Sequence, residues 1–279
     1  MDFEYYLYDL LTNEKISKDI IKLILEPDGF EVIKESYKQI TWNISEKEFK
    51  QIIIKYNKLL DNIYIKFPYF KKLNINPAIF VRYELMGFLN NISLSFPQNK
   101  KLELKKLGIT HELFGSVFNT HPSLTYCCLF PDLEAPRCKS NFYDFSPFDH
   151  KDISGYLINP PYTKSYINSS SERVLEWLSS NKKQNLRFLF ILPLWDNKSR
   201  ELYNLPISSD LPIIKTLIES KYTVYHRIIK GKDFQFYDGT KNKLVNLKDP
   251  IHIMILQDGP DMIWNKNIEQ SFNKILLIT

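Results

Sequence analysis

The run Gly155-Tyr156-Leu157-Ile158-Asn159-Pro160-Pro161-Tyr162 decides how the rest of the chain is read. A short apolar segment passes straight into Asn-Pro-Pro-aromatic. Proline has no N–H to give to a sheet ladder, and Pro160 drives Asn159 into an extended conformation. A strand over Tyr156–Ile158 therefore stops at Asn159. The stiff turn that follows presents the Asn159 amide, the Pro160 carbonyl and the Tyr162 ring at the strand's C-terminal edge.

Outward from this strand, short apolar runs end repeatedly in turn residues. They predict strands over His111–Gly115, Thr125–Phe130, Asn141–Phe145, Arg187–Leu192, Thr223–Ile229 and Ile251–Gln257, with a helix over Ser171–Ser179. Strands alternating with helices predict an α/β fold with a mostly parallel sheet, whose ligands sit beyond the strands' C-terminal ends. The late runs Thr223–Phe236 and Ile251–Gln257 are joined by a Gly/Lys/Asn/Asp-rich segment, which predicts an antiparallel hairpin at one edge. The first hundred residues read as helices. Ser45 to Glu48 forms a capping box ahead of Phe49, Ile52, Ile53, Tyr56, Leu59 and Leu60, and Pro77 opens a second helix over Ala78–Asn90. No Gly/Pro linker intervenes before residue 92, so the expected organisation is a helical region, 1–105, packed on a core of residues 106–279.

Composition removes several classes. The 279 residues are 44% hydrophobic and 25% charged, a globular balance rather than a disordered one. No uncharged stretch approaches the ~20 residues of a bilayer span, and Met1–Leu11 carries Asp2, Glu4 and Asp9 instead of the basic-then-apolar order of a signal peptide. Membrane and secretory readings are set aside, leaving an intracellular protein of the cytoplasm, the nucleus or a viral factory. Cys127, Cys128 and Cys138 make neither a CxxC pair nor a disulfide framework, and the five histidines lack ligand spacing, so no metal is expected. The net charge of +5 permits an anionic partner without demonstrating one. Of 37 basic residues only six are Arg, and with so much Ile and Asn the lysines read as an AT-rich coding bias.

The Asn159–Tyr162 turn suits one reaction. An amine attached to an aromatic ring is a poor nucleophile because its lone pair is delocalised. Two acceptors, the Asn159 side-chain oxygen and the Pro160 carbonyl, can bind its two hydrogens and favour the geometry in which the lone pair meets a methyl group. Tyr162 can stack on the ring. No strong base is required, and catalysis comes from positioning and fixed dipoles. A methyl donor then belongs on the neighbouring strand ends. Glu112-Leu113-Phe114-Gly115-Ser116 offers small residues for close approach, Asp132 a carboxylate for ribose hydroxyls, and Asp144 with Phe145 a place for an adenine ring.

These segments resemble a known family. Glu112 to Ser116, Asn119, Tyr126-Cys127, Phe130-Pro131-Asp132, Asp144-Phe145 and Asn159-Pro160-Pro161 follow one another as in the catalytic domain of the phosphorylated CTD-interacting factor family. The likeness continues through Phe190 to Trp195, His226 with Phe234 and Tyr237, and Leu256-Gln257-Asp258, and spans roughly residues 76 to 260. That family includes the cap-specific adenosine N6-methyltransferase of messenger RNA. The resemblance implies a Rossmann-like methyltransferase core with an attached helical region, S-adenosylmethionine as donor, and an adenosine beside a 7-methylguanosine cap as substrate. It assigns Asn159, Pro160, Pro161 and Tyr162 to catalysis, and Glu112, Phe114, Gly115, Asp132 and Asp144 to the donor site; the strand-end reading adds Ser116 and Phe145, and Arg82, on the helix over Ala78–Asn90, can reach the donor carboxylate or make a helix-surface ion pair.

The cationic, flat cap calls for aromatic sandwiching and negative charge. Trp195, Phe234, Phe236 and Tyr237 are candidates for the sandwich, with Asp233 or Asp238 for the charge; Lys164, Arg173, Lys198, Arg200, Lys230 and Lys232 are candidates for phosphates. The chain departs from the family where Tyr162 replaces a Phe and where Leu194 replaces a Glu. The four tryptophans lack the paired pattern of a WW module, so docking on a polymerase tail does not carry over. The stretch from Gly115 to Thr125 is too short for the long helix that usually follows a first strand, so the donor loop differs from a GxGxxG loop. The same tetrapeptide also serves DNA adenine and protein glutamine methylation, and a catalytically silent cap-binding subunit is the alternative outside enzymes.

Overall fold

The computed structural model describes residues 94–121, 123–129, 131, 137–180, 185–195, 211–238, 243–259 and 264–276. The helices expected before residue 94, together with Arg82, Asp132, Lys198 and Arg200, lie outside the described residues. Residues Ile92–Thr279 form one compact unit, to which the helix Gln98–Lys106 belongs.

In chain order the elements are β1 (Leu94–Ser95), α1 (Gln98–Lys106), β2 (Ile109–Glu112), β3 (Thr125–Tyr126), β4 (Gly155–Ile158), α2 (Lys164–Ser179), β5 (Leu186–Pro193), α3 (Pro212–Ile218), β6 (Thr223–Ile229), β7 (Gln235–Asp238), β8 (Lys243–Asn246), β9 (Ile251–Asp258) and α4 (Lys266–Leu276). The main sheet has six strands in the order β3-β2-β4-β5-β9-β6. The first four run parallel, and β9 runs antiparallel to both β5 and β6. A parallel bridge from Tyr126 to Cys138 extends the outer edge beyond β3. After β2 the chain steps outward to β3, then returns to the other side of β2 to lay down β4. That reversal places a crevice beyond the C-terminal ends of β2 and β4, where open α/β sheets bind ligands.

β4 and β5 are near-continuous apolar runs because both faces are covered. On one face Tyr156, Ile158, Phe188, Phe190 and Leu192 pack with Ile167 and Val174 of α2 and Ile214 and Leu217 of α3. On the other, Leu157, Leu189 and Ile191 pack with Leu104 of α1 and Phe272 and Leu276 of α4. Each large side chain so buried stabilises the fold by roughly 1.5–3 kcal/mol. Gly155 opens β4 where a Cβ would lie 2.1 Å from the Gly108 carbonyl oxygen, so only glycine lets β4 approach β2 this closely.

Strand texture was read correctly for β4, β5 and β9, and four strand readings change, the first being His111–Gly115, whose strand is Ile109–Glu112. Asn141–Phe145 is a turn, because the Asn141 side-chain oxygen accepts from the Asp144 N–H (3.0 Å) and the Asn141 carbonyl from the Phe145 N–H (3.1 Å). Thr125–Phe130 contracts to the two residues of β3. Thr223–Phe236 divides into β6, which pairs with β9 as expected, and β7, which enters a separate antiparallel sheet of order β1-β7-β8. Helix α2 also begins earlier than the periodicity suggested. Thr163 caps it, its hydroxyl accepting from the Tyr166 N–H (3.4 Å). The serines that disguised its first turns bond back onto the helix, Ser170 and Ser171 both to the Ile167 carbonyl.

Burial also makes stability depend on pH. His111 sits in the core with its ring on Phe145, and desolvation pulls its pKa down to about 3. The unfolded chain takes up this proton near pH 6.5 and the folded chain does not. Stability contributed by the neutral ring is therefore present above pH 6.5 and lost as pH falls towards 3, by at most about 1.4 kcal/mol per pH unit. The melting temperature should fall between pH 7 and pH 5, and more shallowly in His111→Gln; equal slopes in the two proteins would contradict this.

Candidate active site

The two rims of the crevice come from β2 and β4. Asn159, directly after β4, is 8% exposed; its Nδ2 donates to the Leu94 carbonyl (2.8 Å), and its Oδ1 is buried without a partner. An orphaned buried acceptor costs about 1–3 kcal/mol, so the oxygen is held unpaired by the orientation that Leu94 imposes on the amide. Pro160 is buried, whereas Pro161 and Tyr162 are half-buried and Thr163 and Lys164 exposed, so the turn reaches the surface. The Tyr162 hydroxyl is also buried and unpaired, and desolvation pushes its pKa far above the ordinary value. The ring meets Trp195 edge-on at 6.4 Å between centroids. Trp195 follows β5 and stays half-buried, its carbonyl accepting from the Leu211 N–H (3.0 Å). The tertiary structure thus brings together Asn159, Tyr162, Trp195 and, one residue past the cap of α2, Lys164.

The β2 rim is built differently from the sequence expectation. Glu112 is buried and accepts from Lys101 Nζ (2.7 Å) and the Thr120 hydroxyl (3.1 Å) at Oε2, and from Ser95 Oγ (3.4 Å) at Oε1. Gly115 is required by the protein's own packing, since a Cβ there would lie 2.3 Å from Thr120 Oγ1 and 2.7 Å from Tyr126 Cβ. Its N–H donates to the Cys127 carbonyl (2.8 Å), and the Ser116 N–H to Asn119 Oδ1 (2.9 Å) and Thr120 Oγ1 (3.2 Å). These N–H groups are engaged internally and form no nest for a ligand.

Two aromatic assignments are corrected. Phe145 is 1% exposed, with His111 stacked on one contact at 4.7 Å and His150 on another at 4.9 Å, so its ring belongs to the core and has no free face for an adenine. Phe234 and Phe236, expected around a cap, are likewise buried, packed on each other at 4.9 Å with Phe234 against Phe96 at 5.7 Å. Tyr237 is buried on β7 opposite Ser95, and burial beside Asp238 pushes its pKa up to about 12. Arg173, a phosphate candidate, instead donates to the Tyr143 and Phe145 carbonyls and lies over the rings of Phe142 and Trp177, tying the 141–145 turn to α2.

What remains open at the rim is aromatic. Phe114 packs on Phe142 at 4.5 Å and meets Tyr166 edge-on at 6.2 Å; Tyr143, 40% exposed, lies 6.4 Å from Tyr166 with exposed Asp144 beside it in the turn. Tyr143 and Tyr166 carry no sequence signal as a pair, because Tyr143 falls in the expected strand Asn141–Phe145 and Tyr166 before the expected helix Ser171–Ser179. Leu94 and Lys101 carry no sequence signal at all: a backbone acceptor 65 residues before Asn159 and one lysine among many become part of the site only through folding. Among the described residues, no group of three or more His, Cys, Asp or Glu is placed to share a metal ion, and no helix is long and apolar enough to cross a membrane.

Fold and site together define a mixed α/β protein with an Asn-Pro-Pro-Tyr turn at the reversal of strand order. A family model described as the phosphorylated CTD interacting factor 1 WW domain matches residues 77–239, more than half of the chain. The chain belongs to the phosphorylated CTD interacting factor 1 family, the one its motifs resemble. No curated protein gives a significant match.

Proposed function

We propose that the chain is an S-adenosylmethionine-dependent RNA N6-adenine methyltransferase acting on the adenosine next to a 7-methylguanosine cap. The observation that carries this reading is the buried, unpaired Oδ1 of Asn159 at the C-terminal end of β4. It is an acceptor awaiting an N–H. The strand order supports a Rossmann-like core, because a parallel block with a reversal between β2 and β4, and an antiparallel β9 between β5 and β6, set this turn at the switch point where such sheets bind ligands. The residues fit the donor: Phe114, Tyr143 and Tyr166 offer ring surface and Asp144 a carboxylate at the crevice rim. Bound there, S-adenosylmethionine supplies an electrophilic methyl carbon.

The chain's own groups do the rest. Asn159 Oδ1 and the Pro160 carbonyl accept the two N6 hydrogens, drawing the amine out of conjugation so that its lone pair faces the donor. The Tyr162 ring stacks on the splayed base and holds it in register. The positive charge that forms on nitrogen is stabilised by the same two oxygens, and its proton leaves to water afterwards. Trp195, half-buried beside Tyr162, is the remaining aromatic candidate for the cap, since Tyr237 is as buried as Phe234 and Phe236, and Lys164 is the candidate for the phosphates.

The direct test is mass spectrometry of nucleosides after incubation of protein and donor with capped adenosine-start RNA, uncapped RNA, duplex DNA or a protein extract. N6-methylation confined to capped RNA is expected. Product on DNA or protein alone would reassign the acceptor, and failure to bind S-adenosylhomocysteine by calorimetry would favour a silent cap-binding subunit. Because no side chain of the turn ionises near neutrality, the transfer rate should be level from pH 6 to 9. A bell-shaped profile centred near pH 7 would instead require a general base.

A further inference from the structure

Glu112 at the end of β2 and Asn159 after β4 stand on opposite sides of the crevice, and β1 joins them with two consecutive residues. The Leu94 carbonyl accepts from Asn159 Nδ2 (2.8 Å), while the one Ser95 hydroxyl hydrogen is shared between the Asn119 carbonyl (3.1 Å) and Glu112 Oε1 (3.4 Å). Lys101 of α1 closes the network, its Nζ donating to Glu112 Oε2 (2.7 Å) and to the Asn119 carbonyl (2.8 Å). The two charged side chains are 0% and 1% exposed.

A buried ion pair is seldom the most stable filling for such a space; apolar residues of similar volume often do as well or better. A side-chain amide has two nearly isosteric orientations, and only one presents oxygen to a substrate amine. The flipped amide would point its own hydrogens at the amine. What selects the orientation here is the position of the Leu94 carbonyl; β1 is paired with β7, and Ser95 ties it to Glu112 and to the Asn119 carbonyl, both of which Lys101 also holds. We propose that Lys101 is a positioning residue for methyl transfer: through Glu112 and Ser95 it anchors β1, whose Leu94 carbonyl keeps the Asn159 oxygen turned towards the substrate. This rests on the methyltransferase reading above. Lys101 touches no reacting atom and acts wholly through the amide it orients.

The test uses the full chain carrying Lys101→Met together with Glu112→Gln, which removes both charges with little change of volume and leaves no carboxylate unpaired. Fold is checked by circular dichroism and thermal unfolding. In the folded double variant kcat is expected to fall about 10- to 100-fold, the range a misplacement near 1 Å produces, with KM for capped RNA within about twofold. Exchange of the Asn159 side-chain amide hydrogens, followed by NMR on protein labelled with 15N-asparagine, should accelerate at least about tenfold. A folded double variant with unchanged kcat and unchanged amide exchange overturns the proposal, as does one in which only KM changes. If the double variant does not fold, Ser95→Ala replaces it, with the same pattern expected at a few-fold and the same results overturning it. Should the wild-type chain methylate nothing, the functional reading fails alone, and the amide exchange still decides the positioning role.

Discussion

Asn159→Ala is expected to reduce methyl transfer to capped adenosine RNA by at least about 100-fold, the loss seen when one preorganised polar partner of a developing charge is removed. The fold should survive. The substitution gives up one hydrogen bond, to the Leu94 carbonyl, worth about 1 kcal/mol net, and it also removes an Oδ1 that is buried without a partner. These effects oppose each other, so the melting temperature should move by only a few degrees. Transfer of tritiated methyl groups, measured beside a melting curve, separates chemistry from folding. An Asn159→Ala protein that is folded and active would remove the basis of the functional reading.

Lys101→Met on its own is expected to be the most damaging single change to stability among the residues of the site. It leaves the Glu112 carboxylate buried with only hydroxyl donors, Thr120 and Ser95, and without its countercharge. Breaking one side of a buried pair costs about 3–5 kcal/mol, a large share of the roughly 5–15 kcal/mol that holds a typical domain together. Burial pulls the Lys101 pKa down and Glu112 pulls it back up, so each charge is tolerated inside because of the other. The urea midpoint should fall steeply in Lys101→Met and recover in the double variant with Glu112→Gln. A loss under about 1 kcal/mol would show that the pair is not what keeps the carboxylate buried.

The structure was legible from sequence where one physical cause dominates. β4, β5 and β9 were found within a residue or two because strands covered on both faces admit little besides apolar side chains, the edge strand β6 because its residues are mostly β-branched or aromatic, and the Asn159–Tyr162 turn because proline ends a ladder whatever surrounds it. Misreadings fell where a side chain competes with the backbone. Asn141 folds its segment into a turn, and the serines of α2 look like loop residues until their hydroxyls are seen bonded to the helix. Phe145 and Phe234 carry the composition of a stacking site, and only packing shows that neighbouring rings already cover them.

Local chemistry was enough to establish the alternating α/β pattern, the family, and a rigid acceptor-bearing bend at the rim of a sheet, because these depend on residue type and short spacing. Folding alone decided that Leu94 orients Asn159, that Lys101 neutralises Glu112 and that Trp195 stands beside Tyr162. Those contacts join residues far apart along the chain, one of them a bare carbonyl oxygen. Backbone acceptors look alike at every position, and distance in space is set by the sheet order, which no local pattern of side chains encodes.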